Sequence, residues 1–233
     1  MRTKTIFFFL FLFLTVKMSA QLTRYYEGGK TGYKNASGEI VVSPQYDYGS
    51  EFSEGFALVM LGRERFFINE KGEDVFGKRF YDASCFHEGL AKVSTHGQYG
   101  FINTKGETVI EEQYAVAGDF SCARARVQVN GKFGFIDQSG KMIIPAQYDD
   151  ASDFSDGLAA VKQDGKWGFV SADGKISIGV QYDFATGFHN GEALVHKKDE
   201  KYYIDTKGKK TREIEEDDDE EERNERGDHK KRF

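Results

Sequence analysis

At 233 residues the chain is long enough for one large domain or for a repeat array with a sizeable core. Glycine is frequent at 26, proline scarce at 2, and aromatics make up 15%, a balance that suits short strands joined by glycine turns rather than helices. The net charge is −6 and no basic patch stands out, which argues against nucleic acid as a partner.

The chain opens on a targeting pattern. MRTK is a positively charged start, and Ile6 to Val16 is an uncharged run dominated by Phe and Leu. Lys17-Met18-Ser19-Ala20 then brings small residues just before Gln21. The run holds 11 residues, short of the roughly 20 that a membrane span needs. Residues 1–20 are therefore expected to be a secretory signal peptide cleaved near Ala20. The mature chain is expected to lack a membrane span and to be secreted, periplasmic or on the cell surface. No cysteine follows the apolar run, which argues against a lipid-anchored form.

From Gly29 to Gly208 a 34-residue period runs without insertion or deletion. A turn glycine recurs as Gly38, Gly72, Gly106, Gly140, Gly174 and Gly208. One aromatic column reads Tyr33, Phe67, Phe101, Phe135, Phe169 and Tyr203. Two more read Tyr46, Phe80, Tyr114, Tyr148, Tyr182 and Phe52, Phe86, Phe120, Phe154, Phe188. The same period serves some helical repeats, but the text inside each unit is that of hairpins. Lys132 to Asp137 is an aromatic and β-branched run, Gln138-Ser139-Gly140 a turn, and Lys141 to Ile144 a second run. Asn130-Gly131 and Asp164-Gly165 add tight two-residue turns, because both positions of such a turn need positive φ. Each unit thus reads as three antiparallel strands, the first beginning at Leu22 and the last starting at Lys209.

The expected architecture is all-β: six tandem 34-residue three-stranded units over residues 21–211, stacked as an open, solenoid-like array. A closed six-bladed β-propeller is the alternative. Propellers usually close by completing one blade from both chain ends, whereas this frame holds six whole units. The connection Pro145 to Asp156 is expected to be a loop whose Tyr148 and Phe154 plug the seam between neighbours. Beyond the repeats, residues 212–233 carry 11 acidic and 6 basic side chains. They are expected to form a solvated acidic tail.

Gly165-Lys166-Trp167-Gly168-Phe169-Val170, Gly131-Lys132-Phe133-Gly134-Phe135-Ile136 and Gly97-Gln98-Tyr99-Gly100-Phe101-Ile102 resemble the WG-containing, or KWG, repeats of exported bacterial proteins. The resemblance covers about residues 29–208. It implies β-rich tandem repeats in surface or exported proteins, and it supplies no shared catalytic residues. Two units depart from it: Thr31-Gly32-Tyr33 in the first and Arg65-Phe66-Phe67 in the second.

Candidate chemistry is sparse. There is no nucleophile elbow, phosphate loop or dinucleotide fingerprint, and no paired His or Cys spacing of a zinc site, so no catalytic residue, metal or cofactor is assigned. The recurring acids Asp47, Asp149, Asp183, Glu54, Glu88 and Asp156 read as caps for backbone amides. Cys85 and Cys122 lie in corresponding loops of adjacent units, where a disulfide would clip neighbours together; one free thiol per loop is the simpler alternative. The candidate binding residues are Tyr99, Phe133 and Trp167, half-exposed members of one variable column. The expected function is a non-catalytic binding or scaffold module for an envelope or extracellular protein or polysaccharide. A cell-envelope enzyme or enzyme accessory directed at glycans is the alternative.

Overall fold

The computed structural model describes residues 22–214. The expected signal peptide, and the acidic tail from residue 215 onward, lie outside the described residues. All regular structure within them is β, arranged as six small antiparallel sheets. The first sheet is β1 (Thr23–Glu27), β2 (Lys30–Lys34) and β3 (Ile40–Tyr46); the second is β4 (Tyr48–Gly49), β5 (Phe56–Leu61) and β6 (Glu64–Asn69). The third is β7 (Asp82–Ala83), β8 (Leu90–Ser94), β9 (Tyr99–Asn103) and β10 (Thr108–Tyr114). The fourth is β11 (Ala125–Val129), β12 (Lys132–Ile136) and β13 (Met142–Tyr148). The fifth is β14 (Asp150–Ala151), β15 (Leu158–Gln163), β16 (Lys166–Ser171) and β17 (Ile176–Tyr182). The sixth is β18 (Phe184–Ala185), β19 (Glu192–Lys197), β20 (Glu200–Asp205) and β21 (Lys210–Glu213).

The three expected strands are present in every unit but the second, whose last strand is reduced to isolated bridges at Asp74 and Phe80, and four of the six units add a two-residue strand. The segment Pro145 to Asp156, expected to be a loop, is divided between two sheets. Its start completes β13, a single residue follows, and Asp150–Ala151 pairs with β15 of the next unit. The strand was hidden because two residues carry no readable alternation. The final strand also runs through Arg212 and Glu213, two residues into the expected tail.

Each seam is filled as the aromatic columns require. Phe135 meets Phe154 of the next unit with ring centroids 4.8 Å apart, and Tyr33–Phe52, Phe67–Phe86, Phe101–Phe120 and Phe169–Phe188 repeat the contact at 4.8–5.0 Å. Tilted and edge-on ring pairs of this kind add to the burial of large apolar surface. The Tyr46 column is buried as well, from Tyr46 through Tyr182.

The array is open. β1 belongs to the first sheet and β21 to the sixth, and among the described residues no strand is shared between them. The turn glycines make the same point. Cβ positions built on Gly72, Gly106, Gly140, Gly174 and Gly208 fall against Val42, Phe76, Ile110, Ile144 and Ile178 of the preceding unit. At Gly38, in the first unit, the same position meets nothing within 4 Å.

The glycine of the aromatic-Gly pair answers a different demand. A Cβ on Gly134 would lie 2.6 Å from the Ile144 carbonyl oxygen and 2.7 Å from the Ala146 amide nitrogen; on Gly168 it would lie 2.8 Å from Ile178 O and Val180 N. The last strand of the unit bulges across this point, with register shifts between Phe133 and Phe135 and between Trp167 and Phe169. Only a residue without a side chain lets the two backbones approach so closely.

Candidate functional site

Three polar staples recur at the seams. In the first, a Lys at the start of a unit's middle strand binds an Asp 17 residues later: Lys30–Asp47, Lys132–Asp149 and Lys166–Asp183. The second carboxylate oxygen of that Asp accepts an amide from the next unit's hairpin turn, Gly62 N at 2.7 Å, Asp164 N at 3.1 Å and Lys198 N at 2.8 Å, respectively. Donation from the lysine is the main cause holding all three carboxyls below their ordinary range, with the turn amides adding to it.

In the second staple, a base on the unit's first long strand reaches an acid in the following unit: Arg24–Glu51 at 3.1 Å, Lys92–Asp119 at 3.6 Å and Arg126–Asp153 at 3.3 Å. The positions co-vary within this one sequence. Where the base becomes Leu58 the acid becomes Cys85, and where it becomes Ala160 the acid becomes Gly187. Burial pushes the Asp153 carboxyl upward, Arg126 opposes this, and Asp119 reinforces it. In the third staple, the carboxylates of Glu54, Glu88 and Asp156 accept the amides of Gly89, Ala123 and Gly191 at 2.8–2.9 Å. The recurring acids are thus amide caps, as the sequence suggests, but they cap the next unit's turn rather than their own loop.

The second seam lacks both charged staples. Glu64 stands in the Lys column, Tyr81 in the Asp column, and the Leu58–Cys85 pair replaces the base and acid. The third seam has Gln98 and Ala115 in the first pair but keeps Lys92–Asp119; the fifth has Ala160 and Gly187 in the second pair but keeps Lys166–Asp183. The cause in the second unit starts with Phe66, which occupies the column of Gly32, Gly100, Gly134 and Gly168. Its buried ring lies edge-on to Tyr46 at 5.9 Å, and the Arg79 guanidinium sits 4.2 Å from its centroid. With that ring in place the last strand cannot make the close backbone approach seen at Gly32, Gly100, Gly134 and Gly168; the column's other ring, Tyr202, pairs with Glu213 of β21 instead. The backbone of residues 74–80 is joined to β6 by the bridges Arg65–Phe80 and Ile68–Asp74 and by the Val75 amide to the Phe67 carbonyl, and Arg79 pairs with Glu64 at 3.2 Å.

Where the seam is unstapled, a cleft of about 670 Å³ opens, lined by Met60, Arg63, Arg65, Tyr81, Asp82 and Tyr99. Three of these are themselves departures from the repeat. Arg63 replaces the turn glycine found as Gly29, Gly97, Gly131 and Gly165, Arg65 stands where Tyr99, Phe133 and Trp167 are aromatic in a column that also holds Thr31 and Lys201, and Tyr81 replaces the staple aspartate. Tyr81 is 69% exposed. Tyr99 donates its hydroxyl to Asp82 at 2.9 Å, the main cause of its raised pKa, with burial second. Arg65 pairs with Asp82 at 3.7 Å and donates to the Tyr81 carbonyl. Arg63 makes no ion pair or hydrogen bond among the described residues. A second cavity of about 410 Å³, lined in part by Lys78, Phe80, His96 and Glu112, opens beside the same segment.

Tyr99, Phe133 and Trp167, the candidate binding residues, are half-buried strand residues in three successive units, and the structure does not bring them together as one site. Each carries a cation over its ring, Lys92, Arg126 and Lys162, at 5.3–5.9 Å. Phe133 and Trp167 lie opposite Tyr148 and Tyr182 in the sheet. Of the three, Tyr99 alone lines the cleft. Cys85 and Cys122 are both free thiols, so the disulfide is not formed. They pack into different clusters, Cys85 beside Phe86 and Cys122 beside Phe154. Arg63, Arg65 and Tyr81 went unselected in the sequence because a search for recurring residues passes over the units that break the pattern.

The fold and its seams define a tandem β-repeat protein with one irregular junction. The match to known families agrees: five consecutive copies of the WG containing repeat cover residues 32–63, 66–98, 99–133, 133–167 and 167–202. The chain belongs to that family. No curated protein matches it. Among solved structures it is similar to a eukaryotic initiation factor, with a TM-score of 0.51, 12% identity, and coverage of 82% of this chain and 62% of that one. It is also similar to Hsv2 of Kluyveromyces lactis, with a TM-score of 0.50, 9% identity, and coverage of 80% and 71%. At these identities the likeness shows fold alone. The chain spans less than two thirds of the initiation-factor chain.

Proposed function

We propose that this protein is a non-catalytic binding module acting outside the cytoplasm, and that the cleft between its second and third units is its binding surface. The observation that carries this reading is the coincidence of sequence breaks in space. Arg63, Arg65 and Tyr81 depart from the repeat at three separate columns, and all three line one cleft. A repeat protein uses identical units to build a scaffold, and departures gathered at one surface suit recognition. The lining also favours binding over turnover. Its carboxylate, Asp82, already accepts Tyr99 and pairs with Arg65, so it is committed to holding the wall rather than to moving protons. The leader-like residues 1–20 support an exported protein, whose partners would be envelope or extracellular proteins or polysaccharides.

The test is a closed-seam variant, Arg63→Gly with Tyr81→Asp and Glu64→Lys, which gives the second unit the hairpin glycine of its neighbours and its seam the Lys–Asp pair of the first, fourth and fifth. Immobilised wild type and variant would be exposed to purified surface polysaccharides and envelope proteins. A partner held by the wild type and lost by the variant supports the cleft. Equal retention by both would remove it as the binding surface.

A further inference from the structure

We propose that the second-seam cleft binds a carboxylate-bearing sugar of an acidic polysaccharide, an assignment that rests on reading this cleft as the binding surface. The chain is acidic overall at −6, yet the cleft carries two guanidinium groups against one carboxylate. Asp82 engages Arg65, which leaves Arg63 as an exposed guanidinium with no partner among the described residues. A planar guanidinium matches a carboxylate with two parallel hydrogen bonds, and it does so better than an ammonium group. Beside it, Tyr81 presents an exposed ring and hydroxyl, and Met60 and the Tyr99 ring supply a partly apolar wall. Such a wall suits the C–H face of a pyranose, while Arg63 meets the sugar acid.

An acidic peptide shares the charge but finds less here. The edge of β6 offers few free backbone groups, because Arg65 and Phe80 exchange both amide bonds and Val75 donates to Phe67. Strand addition, the usual way a groove holds an extended peptide, is therefore blocked.

The experiment is calorimetric titration of the full chain with hexamers of galacturonate, mannuronate and hyaluronan, each alongside its carboxyl-esterified form, and with hexaglutamate. At least one uronate hexamer is expected to bind at least tenfold tighter than its ester. Arg63→Gly, the residue of four other hairpins, should abolish most of that difference and leave ester binding unchanged, while its added chain freedom lowers Tm by no more than about 4 °C. Tyr81→Ala should weaken acid and ester alike. Equal binding of acid and ester, indifference to Arg63→Gly, hexaglutamate matching the best uronate, or no binding by any uronate would each overturn the assignment. The two readings separate cleanly. If all uronates fail while the wild type still retains a partner that the closed-seam variant loses, the carboxylate assignment falls and the binding surface stands. If the closed-seam variant retains whatever the wild type retains, the surface itself falls.

Discussion

Gly134→Ala tests the physical claim on which the irregular junction depends, that the glycine column exists to let two backbones touch. The added methyl would lie 2.6 Å from Ile144 O, 2.7 Å from Ala146 N and 2.8 Å from Ala146 Cα. Ordinary contact begins near ~3.5 Å, so β13 must retreat by roughly 0.7 Å or more. All three obstacles are backbone, and no side chain can swing aside. Overpacking of this kind costs about 1–3 kcal/mol, and each ladder bond stretched out of range adds about 1 kcal/mol. Against this, replacing glycine by alanine removes unfolded-state freedom and returns about 0.4–1 kcal/mol. The net expectation is a loss of about 1–3 kcal/mol, which for a chain of this size lowers Tm by about 2–4 °C per kcal/mol. Gly179→Ala is the control. It makes the same substitution in β17, at a position where the methyl meets nothing within 4 Å and φ lies outside the left-handed region. It should be neutral or slightly stabilising. Paired urea and thermal melts followed by circular dichroism would read both. If Gly134→Ala were as harmless as Gly179→Ala, close approach would not be the reason for the glycine, and Phe66 would lose its role in opening the second seam.

Other expectations follow from the staples. Arg126→Leu alone should destabilise by about 0.5–1 kcal/mol, because it takes the partner from the partly exposed Asp153; adding Asp153→Cys copies the Leu58–Cys85 seam and should recover part of the loss, read as a coupling of about 0.5 kcal/mol in a double-mutant cycle. Where the equivalent turns of other units carry Gly55, Gly89, Gly157 and Gly191, one has Cys122 and Ala123, with φ of 53° and 58°. Ala123→Gly should raise stability by about 0.5–1 kcal/mol, and Cys122→Asp should add the amide clasp that Asp156 makes to Gly191. Carbon-detected NMR titration should place Asp149 and Asp183 below an ordinary aspartate and Asp153 above it. For the depressed pair the contribution to stability is present above the unfolded value near ~3.9 and is lost as pH falls through the folded values; for Asp153 the sign is opposite, and its ionisation works against the fold as pH rises through the unfolded value. Asn substitution at Asp149 and Asp183 should therefore flatten the acid limb of a stability–pH curve.

Much of the fold was legible because the repeat is strict. A period without slips fixes six units, Asn130-Gly131 and Asp164-Gly165 fix hairpins, and the Phe154 column has nowhere to go but the seam. The short fourth strands were not legible, since Asp150–Ala151 is too brief to alternate and its pairing partner lies in the next unit's hairpin. Nor were the staples. Their partners sit 17, 27 or 35 residues apart, distances that mean nothing until one unit is laid on the next. Once they are, the sequence supplies its own comparison: Lys with Asp, Arg with Asp or Glu, Leu with Cys, Ala with Gly. Each base appears where its acid appears and vanishes where it vanishes. The same comparison gives meaning to the exceptions. A lone Trp167 draws attention as a rare residue, yet it is a regular rung, opposed by Tyr182 and braced by Lys162. Arg63, Arg65, Phe66 and Tyr81 are ordinary residue types that become informative only against Gly29, Trp167, Gly168 and Asp183 at their own columns. In a repeat array the site is read from where the units stop agreeing, because uniform packing needs only the shared residues and leaves the departures to be explained by something outside the fold.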